Sequence, residues 1–129
     1  MKQKFLSAAV VVAAFALMSA GVSKNAIKTS KGTTVVNTTS IVKARGYNSN
    51  TPVKIYISKN KITKIESLPN QETPAVYARA EELLKKFVGK KVDEAQTMKV
   101  DAVSGATYSS KALIQNVKGG LKYYKENKK

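Results

Sequence analysis

Residues 33–68 show the alternation of apolar and polar positions that is typical of β-strands. Residues 33–44 are rich in β-branched side chains, which predicts one strand, or two short strands broken near Asn37. After a cluster of turn residues at 46–52, apolar and polar residues alternate with period two over 53–57. A tight turn then leads into residues 62–68, so these two strands are expected to form a hairpin.

The pattern changes to helical spacing after residue 72. Residues 74–88 place apolar side chains every three or four positions, and Thr73 stands as the N-cap before a proline at the first helical position. A second amphipathic helix is predicted over residues 111–124. Gly119 and Gly120 weaken it, because glycine costs a helix about 1 kcal/mol relative to alanine.

Strands followed by helices predict an α+β fold, in which a small antiparallel sheet packs against two helices in a single domain. We assign this domain to residues 33–125, after a flexible leader at 21–32 and before a charged tail at 126–129. The pattern of residues 92–100 is ambiguous, and a short strand near 98–100 is one interpretation.

The first twenty residues have the pattern of a secretory signal peptide. Lys2 and Lys4 precede an uncharged apolar run from Phe5 to Met18, and small residues follow at 19–21. The run is short for a membrane span, which needs about 20 apolar residues, but an uncleaved N-terminal anchor is the alternative. We therefore expect an exported protein, periplasmic or extracytoplasmic, that is either free or membrane-associated.

The composition excludes several kinds of site. The 129-residue chain has no His and no Cys, which excludes a Cys/His zinc site, a Ser-His-Asp triad and a disulfide. Its 23 Lys and Arg against 8 Asp and Glu give a formal charge of +15, which attracts anions. Only Arg45 and Arg79 are arginines, the residue that dominates base recognition. This argues against nucleic acid as a partner and favours acidic partners or an anionic membrane surface.

Small and hydroxyl-bearing residues gather at 101–110, with the sequence DAVSGATYSS, just before the second helix. The small residues there allow the backbone to approach a ligand closely. The free amides of a helix start, together with the nearby hydroxyls, form an anion site for which phosphate is the obvious ligand. Ordinary helix capping and turn formation explain the same residues, so the pattern alone leaves both interpretations open.

This segment resembles the flavinylation motif of the FMN-binding domain family. The match in residue type and spacing covers Asp101, Ser104, Gly105, Ala106 and Thr107. The resemblance implies FMN as the cofactor, and it implies that a flavin transferase esterifies the FMN phosphate to the hydroxyl of Thr107. It also implies that the transferase recognises Asp101.

A second resemblance to the same family lies upstream. Glu72 and Thr73, followed by Pro74, match a family segment that precedes a helix near the flavin, although Ala75 stands where the family usually has glycine. Tyrosines are candidate walls for the flavin ring by stacking, although an ordinary place in the core or on the surface explains each of them equally well. The candidates are Tyr56, Tyr77 and Tyr108.

The resemblance implies an exported flavoprotein that transfers electrons between membrane or extracytoplasmic redox partners. It favours an electron carrier over an autonomous enzyme, since no residue pattern identifies an organic substrate. Two alternatives remain open at this point. One is FMN held without a covalent bond, and the other is a basic binding module for anionic surfaces that has no redox role.

Overall fold

The computed structural model describes residues 26–127. The predicted signal peptide at 1–20 lies outside the described residues, as do the first part of the predicted leader and the end of the predicted tail. Within residues 26–127, no helix is long and apolar enough to cross a membrane.

Four strands form one antiparallel sheet in chain order. They are β1 (Ile27–Ser30), β2 (Thr33–Asn37), β3 (Val53–Ser58) and β4 (Lys61–Ser67). The predicted hairpin is β3 and β4, in which Ser58 pairs with Lys61. The two turn residues between them, Lys59 and Asn60, have φ values of 52° and 64°, as the two-residue turn that matches the twist of a hairpin requires.

Two predictions for the N-terminal half are wrong. Residues 27–30, assigned to a flexible leader, are the edge strand β1, which pairs with β2 across a turn at Lys31 and Gly32. The predicted break near Asn37 is present, because β2 ends there. A 3₁₀ turn, Thr38–Ser40, follows the break in place of a second short strand.

Three helices follow the sheet: α1 (Pro74–Glu81), α2 (Val92–Thr97) and α3 (Thr107–Asn127). The first predicted helix is shorter than expected, because a 3₁₀ segment, Glu82–Lys86, replaces its last turns. Helix α2 occupies most of residues 92–100, whose sequence pattern is ambiguous, and the strand predicted near 98–100 is absent. Helix α3 begins four residues earlier than predicted, and it includes the first two residues of the predicted tail. The predicted α+β class, with an antiparallel sheet and a single domain, is confirmed.

The core lies between one face of the sheet and α3, and α1 and α2 close its sides. Val36, Ile55 and Ile57 from the sheet and Leu113 and Val117 from α3 are all at most 1% exposed. Ile55 and Ile57 occupy alternate positions of β3, and Val36 of β2 pairs with Ile55. The two helix residues are four apart, so the sheet and the helix each present one apolar face to the core. The opposite face of the sheet carries no helix in the described part of the chain.

Close packing of α3 against the sheet and against the segment between β2 and β3 explains the paired glycines in the last helix. An added Cβ at Gly120 would lie 2.8 Å from Cδ1 of Ile55, and one at Gly119 would lie 2.6 Å from Cγ2 of Val42. The buried side chain of Asn116, one turn earlier, accepts a hydrogen bond of 2.8 Å from the hydroxyl of Thr38. The helix therefore has a lower intrinsic helix propensity, but it makes close contact with the sheet and with the segment that follows β2.

Candidate functional site

The predicted motif forms an exposed loop that leads directly into α3. Asp101, Ser104 and Gly105 are exposed, whereas Ala106 is only 2% exposed and anchors the loop to the core. The φ of Gly105 is 81°, in the left-handed region that favours glycine. Thr107 is the first residue of α3, and its side chain is exposed.

The turn before α3 is closed by its own hydrogen bonds. The amide of Ala106 donates to the carbonyl of Val103 at 2.9 Å, and the amide of Val103 donates to Oγ of Ser110 at 3.0 Å. The first bond of α3 runs from the amide of Ser110 to the carbonyl of Ala106, at 2.9 Å. The amides of residues 107–109 therefore precede the intrahelical ladder, and together with the helix dipole they favour an anion beside Thr107.

A buried carboxylate, that of Glu72, joins three segments next to this helix start. Glu72 is 6% exposed. Its Oε2 accepts hydrogen bonds from the amides of Asn48 and Ser49, both at 2.7 Å. Its Oε1 accepts from the amide of Tyr47 at 2.8 Å and from Oγ of Ser109 at 2.6 Å. Glu72 thus ties the turn at 46–50 to the starts of α1 and α3.

The environment of Glu72 favours its ionised form. Burial raises the pKa of this carboxyl, but the hydrogen bonds from Ser109 and from the three backbone amides outweigh burial. The pKa of Glu72 therefore lies below its ordinary value of 4.5. Four good donors leave this carboxylate little capacity to accept a proton from a substrate, so we assign it a structural role.

Gly46 is required where the turn meets this carboxylate. An added Cβ at Gly46 would lie 2.5 Å from Oε1 of Glu72 and 2.9 Å from its Cδ. The amide of Gly46 donates to the carbonyl of Ser49 at 2.7 Å, which closes the turn around the carboxylate. Any larger residue would push the turn away from its anchor.

A cleft of about 240 Å³ opens between the turn, α1 and α3. Two exposed tyrosines line the cleft: Tyr47 is 70% exposed and Tyr108 is 64% exposed. Their ring centroids are 5.9 Å apart, with a tilt of 44° between the rings, which is within the usual range for an aromatic pair. The other lining residues are Glu72, Thr73, Val76, Gly105, Ala106, Thr107 and Ser109.

The structure brings most of the predicted site residues together. Residues 72 and 73 line the same cleft as residues 105–107, although more than thirty positions separate the two segments. Asp101 and Ser104 lie on the exposed outer part of the loop, and neither lines the cleft. Ala75 is exposed and also lies outside the lining, so its methyl group does not narrow the cleft.

Of the three candidate ring walls, Tyr108 alone lines the cleft. The hydroxyl of Tyr56, on the uncovered face of the sheet, donates to Glu66 at 2.9 Å. Burial raises the pKa of Tyr77, which is a core residue and donates its hydroxyl to Ser67 at 3.0 Å. Tyr47 is an aromatic lining residue that was not predicted, since nothing in the turn sequence GYNSN indicates which way its ring faces.

The family model of the FMN-binding domain matches residues 46–122. The match spans more than half of the chain. This chain belongs to the FMN-binding domain family. The matched region begins at Gly46, where the turn meets the Glu72 carboxylate, and it contains every residue that lines the cleft. A comparison with curated proteins found no match for the chain.

The residues at the cleft fit FMN, the cofactor that membership of this family indicates. The free amides at the start of α3 suit the phosphate, and the rings of Tyr47 and Tyr108 with the side chain of Val76 offer apolar surface to the flavin ring. Because Glu72 is already saturated with hydrogen bonds, its buried charge holds the walls of the cleft in place.

Proposed function

We propose that this protein carries FMN covalently, through a phosphoester to Thr107, and transfers electrons between membrane or extracytoplasmic redox partners. FMN supplies the redox chemistry when bound, and the chain supplies its position and surroundings. One observation carries the proposal. Thr107 presents an exposed hydroxyl at the first position of α3, beside a cleft with two exposed tyrosines.

The surroundings of Thr107 favour attachment by a separate flavin transferase. Forming the phosphoester requires an activated FMN donor, such as a flavin dinucleotide, brought by the transferase. The bond from the FMN phosphorus to the nucleotide phosphate breaks as Oγ bonds to phosphorus, the nucleotide leaves, and the hydroxyl loses its proton to a base. The cleft lining contains neither Lys nor His, and the only carboxylate there, that of Glu72, is occupied by four strong donors. We therefore expect the base to come from the transferase, to which Asp101 and Ser104 are accessible because both are exposed.

The openness of the site suits a carrier of electrons. The cleft of about 240 Å³ is smaller than the about 300–1,000 Å³ typical of pockets that enclose small molecules. We therefore expect it to cover part of the flavin and to leave an edge accessible to a redox partner. A formal charge of +15 speeds encounter with acidic partners, in a manner that falls with salt.

Co-expression with a flavin transferase tests the covalent bond. The wild-type protein should show flavin fluorescence after denaturing electrophoresis and a mass increase equal to FMN less one water. Thr107→Ser keeps a hydroxyl and should retain some fluorescence, whereas Thr107→Ala should lose it. Thr63→Ala, which removes an exposed hydroxyl on β4, is the matched control and should label like wild type.

Three results would contradict parts of this proposal. A dark wild-type band, or equal fluorescence from Thr107→Ala, would rule out attachment at Thr107. Yellow colour that is released by denaturant would instead show FMN held without a covalent bond. If the flavin of the loaded protein cannot be reduced by a soluble electron donor and reoxidised by a soluble acceptor, the protein does not serve in electron transfer.

A second candidate function, adhesion to anionic surfaces, is favoured by the uncovered face of the sheet. A hollow of about 510 Å³ on that face is lined in part by Lys28, Lys54 and Tyr56. Nζ of Lys64 lies 5.2 Å from the centroid of the Tyr56 ring on the same face. Binding to vesicles that contain anionic lipid, lost at high salt and reduced in Lys28→Gln/Lys54→Gln, would support this function. Equal binding to neutral vesicles would refute it.

A further inference from the structure

The guanidinium of Arg79, on α1, lies against the motif loop. An added Cβ at Gly105 would be 2.6 Å from Nη1 of Arg79 and 3.9 Å from its Cζ. The arginine therefore reaches across from α1 to the backbone of the loop, two residues before Thr107. The match to the flavinylation motif does not include Arg79, which lies outside both segments that resemble the family.

Within the part of the chain that the structure describes, no ion pair neutralises the charge of Arg79. The ion pairs among residues 26–127 are Lys85–Glu82, Lys90–Glu94 and Lys125–Asp93, and none involves Arg79. Its side chain is exposed. A cation held beside a loop without a carboxylate partner is suited to an anion that arrives later.

A phosphate on Thr107 would be such an anion. A phosphodiester keeps one negative charge at neutral pH, and the residues that line the cleft include no Lys or Arg to balance it. Arginine offers donors in a planar fork that matches two phosphate oxygens, which a lysine ammonium cannot do. The first-turn amides of α3 and the guanidinium of Arg79 would then approach the phosphate from different directions.

We propose that Arg79 binds the phosphate of FMN carried at Thr107 and so holds the tethered cofactor at the cleft. The proposal rests on the proposed function, because it requires FMN to be attached there. It also gives Gly105 a second purpose besides its positive φ. Any side chain at that position would occupy the space of Nη1 and displace the guanidinium from the loop.

The test compares the thermal midpoint of unfolding before and after flavinylation, so it does not depend on electron-transfer activity. Wild type is compared with Arg79→Gln, Arg79→Lys and Lys111→Gln, the last because Lys111 lies one turn beyond Thr107 on α3. Lys122→Gln is the matched control. It removes one exposed charge 15 residues along the same helix from Thr107, which is about 22 Å away at 1.5 Å per residue.

Flavinylation should raise the midpoint of wild type, Lys111→Gln and Lys122→Gln equally. The rise should be smaller by about 2–4 °C in Arg79→Gln, as the loss of one charge pair near the surface implies, and Arg79→Lys should lie between. The difference should shrink in 1 M salt, where charges are screened over about 3 Å. The unmodified forms supply the baseline, so a change in the stability of the polypeptide alone does not enter the comparison.

Four outcomes overturn the inference. An equal rise in wild type and Arg79→Gln would show that Arg79 does not bind the phosphate. A smaller rise in Lys111→Gln, with Arg79→Gln unaffected, would assign the phosphate to Lys111. If less Arg79→Gln protein is labelled, but the thermal midpoint of the labelled fraction rises as much as in wild type, then Arg79 is a contact for the transferase and does not bind the phosphate. If wild type accepts no flavin, the proposed function fails and this inference fails with it.

Discussion

Replacement of Glu72 by glutamine tests whether the buried carboxylate holds the site together. Glutamine keeps the size of the side chain and changes one acceptor oxygen into an NH₂ donor. In the native protein each carboxylate oxygen accepts two strong hydrogen bonds, from the amides of Asn48 and Ser49 on one oxygen and from Tyr47 and Ser109 on the other. Either orientation of the glutamine amide therefore places its NH₂ group against two donors.

The cost follows from these two lost acceptor positions. A buried donor left without a partner costs about 1–3 kcal/mol, and Glu72 is only 6% exposed, so water cannot easily replace the carboxylate. We expect Glu72→Gln to lower the free energy of unfolding by about 2–4 kcal/mol at pH 7. For a domain of about 100 residues this corresponds to a fall of about 10–20 °C in the thermal midpoint.

The effect should depend on pH in a defined direction. Burial raises the pKa of Glu72, and hydrogen bonds outweigh burial, so the pKa in the folded protein lies below the ordinary value of 4.5. The stabilisation by the ionised carboxylate is therefore fully present above about pH 4.5 and is lost as the pH falls through the folded pKa. Glutamine does not titrate, so the difference between wild type and Glu72→Gln should narrow below pH 4.5.

Urea denaturation at pH 7 and at pH 3 measures both effects. Glu82→Gln is the matched control, because Glu82 is 67% exposed and makes only a surface ion pair with Lys85. We expect it to change the free energy of unfolding by less than about 1 kcal/mol. A loss below about 1 kcal/mol for Glu72→Gln at pH 7, or a loss that is unchanged at pH 3, would refute the structural role of the carboxylate.

Two glycine substitutions test other close contacts. Gly46→Ala places a methyl group 2.5 Å from Oε1 of Glu72. Because the carboxylate is held by its hydrogen bonds, we expect the free energy of unfolding measured in urea to fall by about 1–3 kcal/mol. An unchanged free energy of unfolding would mean that the turn moves away from the methyl group. Gly120→Ala places a methyl group 2.8 Å from Cδ1 of Ile55. Overpacking costs about 1–3 kcal/mol, which should exceed the gain of about 1 kcal/mol in helix propensity, so we expect the variant to be less stable than wild type. A thermal midpoint above that of wild type for Gly120→Ala would show that propensity prevails.

The sequence predicts elements whose own residues carry the signal. Strand β3 has its buried residues at alternate positions, Val53, Ile55 and Ile57, so its period is visible without knowledge of the fold. The turn at Lys59 and Asn60 is indicated by its own residues and by the alternation on both sides of it. The start of α1 is equally local, because Thr73 and Pro74 mark it before any packing is considered.

Elements that depend on packing were not predicted. Strand β1 is a short edge strand whose first residue, Ile27, is partly buried while the other three are exposed, so it has no alternation to detect. Helix α2 has six residues, of which Val92 and Ala95 are buried, and two positions do not establish a helical period. In both cases the neighbouring strand or helix stabilises a segment with little pattern of its own.

The residues of the site also fall into those that the local sequence indicates and those that tertiary contacts place. The motif at 101–107 is contiguous, so its residue types and spacing are readable from the chain. The role of Tyr47 depends on a turn that is held by Glu72, whose hydrogen bonds reach back 23 to 25 residues. The position of Arg79 depends on how α1 crosses the loop before α3. Neither arrangement leaves a mark in the local sequence, since each is produced by a contact between distant segments.

Two charges beside the start of α3 have opposite roles because their surroundings differ. Glu72 bonds Ser109 in the first turn of α3, so a negative charge already lies close to the positive end of the helix dipole. A phosphate on Thr107 would bring a second negative charge to the same end, where like charges repel. The guanidinium of Arg79, which lies beside Gly105 and forms no ion pair within residues 26–127, is a cation able to offset this repulsion. We therefore expect Arg79 to favour the binding of a second anion at a helix start that already holds one buried carboxylate.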